Sequence, residues 1–151
     1  MEIRFFGGGR NTEYILQLQT LNSLETLKVF GVDDDLKFIP ALSQLKKLRE
    51  LQLDDCIPPR DYSQFALLSH LTKLSVSCSY NFVDMIRHLI NLEELTFEDT
   101  PFSLDKKTFF EIVKIVKGRP NVLTLKCNFN FSLQNCSENQ KVKLLPLSNL
   151  R

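Results

Sequence analysis

A chain of 151 residues, 43% hydrophobic and 25% charged, is long enough for one globular domain with a real core. Its 19 basic and 18 acidic residues leave a formal net charge of +1, a balance that argues against nucleic acid or an anionic membrane surface as partner. No apolar run approaches the ~20 residues that span a bilayer, and the opening "MEIRFFGGGRNTEY" lacks the basic-then-apolar order of a secretory signal.

Taken in order, Ile3 and Phe5 alternate as the end of a strand, and Gly7 to Arg10 follow as a turn. That "GGGR" lacks the Lys-Ser/Thr pair of a phosphate loop. A short helix is expected over 12–19. Then Leu18, Leu21, Leu24, Leu27 and Val29 are spaced three, three, three and two. A helix wants apolar residues three and four apart and a strand wants them two apart, so this spacing belongs to neither alone. It recurs as Leu42, Leu45, Leu48, Leu51, Leu53, as Phe65, Leu68, Leu71, Leu74, Val76, and as Ile86, Leu89, Leu92, Leu95, Phe97. Its ending returns as Val122, Leu125 and Cys127.

The closing two-step predicts a short strand, with Leu51 and Leu53 inward and Glu50, Gln52 and Asp54 outward. The three-steps predict a tight return through 3-10 turns or short helices, expected at 40–45, 61–68 and 82–89. Pro58, Pro59 and Asn81 supply lead-in turns, and Asp33 to Asp35 read as a solvated turn, since no Glu follows at calcium-loop spacing. "SLDKKTFFEIVKIVKGRPN" predicts an amphipathic helix capped by Ser103. Phe109, Ile112, Val113 and Val116 would form its apolar face, with Gly118 and Pro120 stopping it. Beyond Asn130 the ladder fades, and 131–151 is expected to be an atypical cap with one more strand at 142–144.

Anchored on Ile3, Leu27, Leu51, Leu74, Leu95 and Leu125, the units repeat after 24, 24, 23, 21 and 30 residues. This L-x-x-L-x-L ladder resembles the leucine-rich repeat family over residues 1–130. The resemblance implies an α/β solenoid of five to six coils, the first partial. A parallel sheet would line its concave face, with short helices or 3-10 turns on the convex one. Cys56 falls where such repeats place Asn or Cys; of the equivalent residues only Asn130 also matches. Ile3 and Phe5 enter at mid-repeat, so the chain is expected to be part of something longer, or to have a partner covering that edge.

Chemistry-bearing residues are sparse. Cys56, Cys78, Cys127 and Cys136 form no Cys-x-x-Cys pair, and His70 and His88 are not at zinc-finger spacing from them, so no metal and no cofactor is expected. Unpaired thiols of this kind suit a reduced, intracellular chain, cytoplasmic or nuclear. Two Asn-x-Ser sequons, at Asn130 and Asn135, point the other way but have no signal peptide to make them usable. Catalysis by His70 or His88 is less expected than a structural place for both, so the chain reads as non-enzymatic.

What remains is the outward face of the strands. Its expected columns are Glu2, Thr26, Glu50, Lys73, Glu94, Thr124; then Arg4, Lys28, Gln52, Ser75, Thr96, Lys126; then Phe6, Phe30, Asp54, Ser77, Glu98, Asn128. A protein or peptide site would centre on Phe6 and Phe30, with Arg4 and Lys28 beside them and Glu50, Gln52, Asp54, Lys73, Glu94 and Glu98 further along. The plainer alternative, favoured by the mid-repeat start, packs both rings on an upstream coil or neighbouring loops. The helix-bearing last repeat resembles the arrays that follow an F-box, which implies substrate selection for a cullin-type ubiquitin ligase. The competing expectation is an intracellular sensor or inhibitor arm without ubiquitin chemistry.

Overall fold

The computed structural model describes residues 2–4, 20–31, 38–56, 60–77, 82–97, 103–129 and 141–146. Outside them lie the glycine turn, the helix expected at 12–19, the acidic turn, Pro58, Pro59, Asn81, both sequons, and Phe6, Glu98, Cys78 and Cys136.

The elements are β1 (Glu2–Arg4), β2 (Thr26–Phe30), α1 (Ile39–Leu42), β3 (Glu50–Asp54), a 3-10 helix (Tyr62–Leu68) and β4 (Lys73–Val76). They continue as α2 (Phe82–His88), β5 (Glu94–Phe97), β6 (Ser103–Leu104), α3 (Lys106–Val116), β7 (Leu123–Lys126), β8 (Asn128–Phe129) and β9 (Val142–Leu145). The molecule is therefore α/β. Among the described residues seven strands form one parallel sheet in the order β1-β2-β3-β4-β5-β7-β9, and β6 pairs with β8 in a second, two-stranded one. Successive parallel neighbours need a crossover, and each three-step segment supplies it.

The two spacings of the ladder have separate backbone causes. Leu24, Leu48, Leu71 and Leu92 each donate an amide to the carbonyl three residues back, at 2.9 to 3.1 Å. That closes a 3-10-type turn in every return. The next residues then hand over to the strand. The Glu25 carbonyl accepts the amides of Arg49 (2.8 Å) and Glu50 (3.1 Å), and the Arg49 carbonyl accepts those of Thr72 and Lys73 (both 2.9 Å). The Thr72 carbonyl does the same for Glu93 (2.8 Å) and Glu94 (3.0 Å). One carbonyl per unit thus fixes where the next strand begins.

Inward residues pack between the sheet and the helical layer. Leu27, Val29, Leu51, Leu53, Val76 and Leu95 are all fully buried, joined from the other side by Phe38, Phe65, Met85, Ile86 and Phe109. α1, the 3-10 helix, α2 and α3 contact one another in chain order. Each buried leucine contributes roughly 1.5–3 kcal/mol through the apolar surface it withdraws from water.

The exits of β2 and β3 share a left-handed turn. Gly31 (φ 66°) and Asp55 (φ 50°) follow Phe30 and Asp54, which face each other across β2 and β3. Glycine takes this conformation freely, and aspartate is among the few other residues that tolerate it. The turn after β3 buries Cys56, whose thiol donates to the carbonyls of Asp54 (3.3 Å) and Val29 (3.8 Å).

Four expectations need correction. Ile3 faces Val29, not Leu27, so β1 is displaced by two residues. An even shift preserves which face each side chain takes, so the apolar pattern does not distinguish the two registers. The N-cap of α3 is Asp105, whose Oδ1 accepts from the Thr108 amide at 2.7 Å, while Ser103 belongs to β6. Leu21 is 36% exposed, breaking the first ladder. Val122 is 46% exposed, and Leu123 is buried one position later, its amide bonded to Lys141. β9 extends the main sheet with unbroken register, Leu123 to Lys126 against Val142 to Leu145.

α3 ends without a left-handed glycine. Gly118 sits in an exposed turn at ordinary φ, a methyl group there would have no atom within 4 Å, and Pro120 removes the amide a further turn would need. Gly118→Ala is therefore expected to raise stability by about 0.5 kcal/mol, by restricting the unfolded chain, as read from urea midpoints. Burial pushes the Cys127 thiol up to about 11. At neutral pH only about one molecule in ten thousand carries its thiolate, so iodoacetamide labelling of Cys127, followed by peptide mass spectrometry, should wait for unfolding. Labelling at the rate of a free thiol would contradict this packing.

Candidate functional site

The sheet presents one face to the helices and the other outward. Across β2 to β7 the register aligns Thr26, Glu50, Lys73, Glu94 and Thr124 in one column, and Lys28, Gln52, Ser75, Thr96 and Lys126 in the next. β9 adds Lys143 and Leu145 to the two columns. Parallel strands lie ~4.8 Å apart, so each column is a row of closely spaced side chains. All of those from β2 to β7 are half-buried or exposed, whereas their inward neighbours are buried. Period-two alternation makes this division in every strand.

Charges on this face are only partly matched. Lys126 Nζ lies 2.6 Å from Glu94 Oε1, a diagonal pair between β7 and β5. Lys73 stands in register between Glu50 and Glu94. Among the described residues the side chains of Lys28 and Lys73 make no hydrogen bond or ion pair. Both are thus available to carbonyls or carboxylates from outside. A hollow of about 380 Å³ opens at the strand starts, lined by Lys73, Glu93, Glu94, Asn121, Val122 and Thr124. On its rim Asn121 Nδ2 donates to Glu93 Oε1 at 3.2 Å.

The third column differs from expectation. Phe30 is half-buried, and its neighbour across β1 is Arg4 rather than Phe6, as the two-residue shift requires. Asp54, opposite Phe30 on the other side, is 9% exposed, and its Oδ2 accepts from Gln52 Nε2 at 2.8 Å. Gln52 and Asp54 are therefore bonded to each other and offer less to a partner than their outward positions suggested. Asn128 leaves the column altogether, because after Lys126 the chain turns into β8. The side chain of Arg4 lies outside the described residues, as do Phe6 and Glu98.

Cations stitch the return segments together. Arg49 Nη1 donates to the His70 carbonyl (3.2 Å) beyond the end of the 3-10 helix. Arg119 donates through Nη1 to Leu89 (2.9 Å) and through Nη2 to Ile86, at the end of α2, and burial lowers the pKa of its guanidinium. Lys141 Nζ reaches the carbonyls of Arg119 (2.8 Å) and Pro120 (3.1 Å) beyond α3. Helix ends leave carbonyls unpaired, and a cation there satisfies both their lone pairs and the helix dipole. Sequence reasoning missed these residues, because their partners lie 21 to 33 residues away.

His88 ends α2 half-buried. His70 follows the 3-10 helix with its Nε2 buried and, among the described residues, without a hydrogen-bond partner. Among the described residues no group of three or more His, Cys, Asp or Glu side chains could hold a metal ion, and no helix is long and apolar enough to cross a membrane.

Burial first, then the charges of Lys46 and Arg49, holds the His70 imidazole below its ordinary value of 6.5. The folded state thus binds fewer protons here than the unfolded one. His70 contributes its full stability above the ordinary imidazole range and loses it as pH falls through the lowered folded value. Urea midpoints should accordingly drop between about pH 7.5 and pH 5, and His70→Gln should flatten that slope. An unchanged slope in the variant would assign the drop to other groups. Compared with known proteins, the chain matches no family model and no curated sequence.

Proposed function

We propose that this chain is a segment of a leucine-rich repeat solenoid, a non-enzymatic module that binds another protein or a peptide on the exposed face of its sheet. One observation carries the reading: from β2 to β7 the strands pair without a slip, so outward side chains align in columns while every inward one is spent on the core. A surface built that way offers many shallow contacts over an extended face, as repeat arrays do. Phe30 beside Lys28 and the hollow at Lys73 and Glu94 are its most distinctive features. Its two signs of charge suit a polypeptide, whose own side chains carry both, better than a polyanion.

Within the family, the α3-bearing unit at 103–127 supports kinship with the arrays that select substrates for cullin-type ubiquitin ligases. A sensor or inhibitor arm would use the same face and differ in what becomes of the bound protein. Affinity purification with quantitative mass spectrometry, comparing the parent chain with the double variant Lys28→Glu, Lys73→Glu, tests the shared claim. Charge reversal at two spare cations is expected to lower recovery of the specific partner roughly tenfold or more, with circular dichroism unchanged. Equal recovery from a folded variant would remove the sheet face as the site. Accumulation of that partner when the protein is depleted would favour the ligase role over the sensor.

A further inference from the structure

We infer that the groove between α2 and α3 is a second docking site, for an acidic peptide segment that places an apolar side chain between two carboxylates. α3 buries Phe109, Ile112 and Val116 and turns Lys107, Phe110 and Lys114 away from the core. Phe110 is 41% exposed, with its ring edge-on to Phe109 at 5.6 Å, and so is held in place without being covered. It lines an open groove of about 710 Å³ with Ile115, Lys107, Lys114, Arg87 and Glu111. An aromatic lining a concavity is an anchor point, unlike one scattered singly on a convex surface.

Charge selects the occupant. Glu111 accepts from Arg87 at 2.8 Å, and Asp84 lies 3.5 Å from the same guanidinium, so Arg87 is matched within the wall of the groove. Lys107 and Lys114 make no ion pair among the described residues. The carboxylate of Asp105 near Lys107 is engaged as the cap of α3. Seven residues apart, the two lysines stand about 10 Å from each other along the helix, with Phe110 between them. On one face of an extended peptide side chains recur at every second residue, so carboxylates four residues apart with an apolar side chain midway span about 13 Å, which two flexible lysine side chains at that spacing can reach. Two spare lysines are too few for other anions: each contributes only about 1 kcal/mol at an anionic membrane, and nucleic acid is held through many phosphates.

The site is separate from the sheet face, since its residues lie on the helical layer, so either can fail without the other. Its test is selection of displayed random peptides on the whole protein, with counter-selection on the triple variant Lys107→Glu, Phe110→Ser, Lys114→Glu. All three side chains are at the surface, and circular dichroism checks that the variant keeps its fold. The enriched peptides should carry aromatic or leucine residues flanked by Asp or Glu. As fluorescein-labelled synthetic peptides they should bind the parent at least about tenfold more tightly than the variant by anisotropy, with affinity falling as salt rises. Absence of enrichment, enrichment without acidic residues, or equal binding by a folded variant would overturn the inference. So would binding of phosphatidylserine vesicles or a single-stranded oligonucleotide that is lost in the variant while the peptides show none.

Discussion

The structure depends on a constraint that acts between neighbouring units: no strand can bury its two inward side chains alone. Leu51 and Leu53 lie between Leu27 and Val29 on one side and Leu74 and Val76 on the other, and all six are buried. Deleting one of these side chains typically costs 2–5 kcal/mol, because the lining of the resulting cavity belongs to three units. The backbone carries the same dependence. The carbonyls of Glu25, Arg49 and Thr72 each accept two amides from the following unit, so the starts of β3, β4 and β5 are each set by the unit before. Burial and hydrogen bonding therefore specify the same register, and agreement between the two is what makes a single arrangement win.

Repetition creates a difficulty that the cations resolve. Each return ends with carbonyls that its own turn leaves unpaired. Arg49, Arg119 and Lys141 reach across to the ends of neighbouring returns, so helical segments as short as the seven residues of α2 are closed by another unit's side chain. Arg119, half-buried and bonded to the carbonyls of Ile86 in α2 and Leu89 just beyond it, joins the ends of α2 and α3 into one layer. That layer carries the groove, and the Arg87–Glu111 pair spans the same two helices.

The two outward surfaces differ in kind. On the sheet, charges of both signs alternate at close spacing and some are already engaged, as Glu94 is by Lys126 and Asp54 by the amide of Gln52. Under the proposed function such a face would discriminate among partners through many small matches and mismatches. The groove instead concentrates an exposed ring and two spare lysines in one place. If both proposals hold, one partner would be held broadly on the sheet and a second segment locally in the groove, without either contact touching the core.

Much of this was legible in the residues. Three-step and two-step spacing separated returns from strands, because periodicity reports which side of the backbone is buried, and Leu27 through Phe97 fall on the inward side as their spacing requires. The helix at 106–116 followed from its apolar stripe in the same way. Other features needed tertiary structure. The two-residue displacement of β1 leaves alternation unchanged, so only backbone pairing distinguishes Arg4 from Phe6 as the neighbour of Phe30. Asp54 looked available until its burial and its bond to Gln52 were known. Arg87 and Glu111, 24 residues apart, become one wall only when two units stack. The sequence by itself determined which face of the strands β2 to β5 and of α3 meets the core, since that is a property of local spacing. Tertiary structure decided which outward side chains remain free and which meet, since both depend on distances between segments that no local pattern encodes.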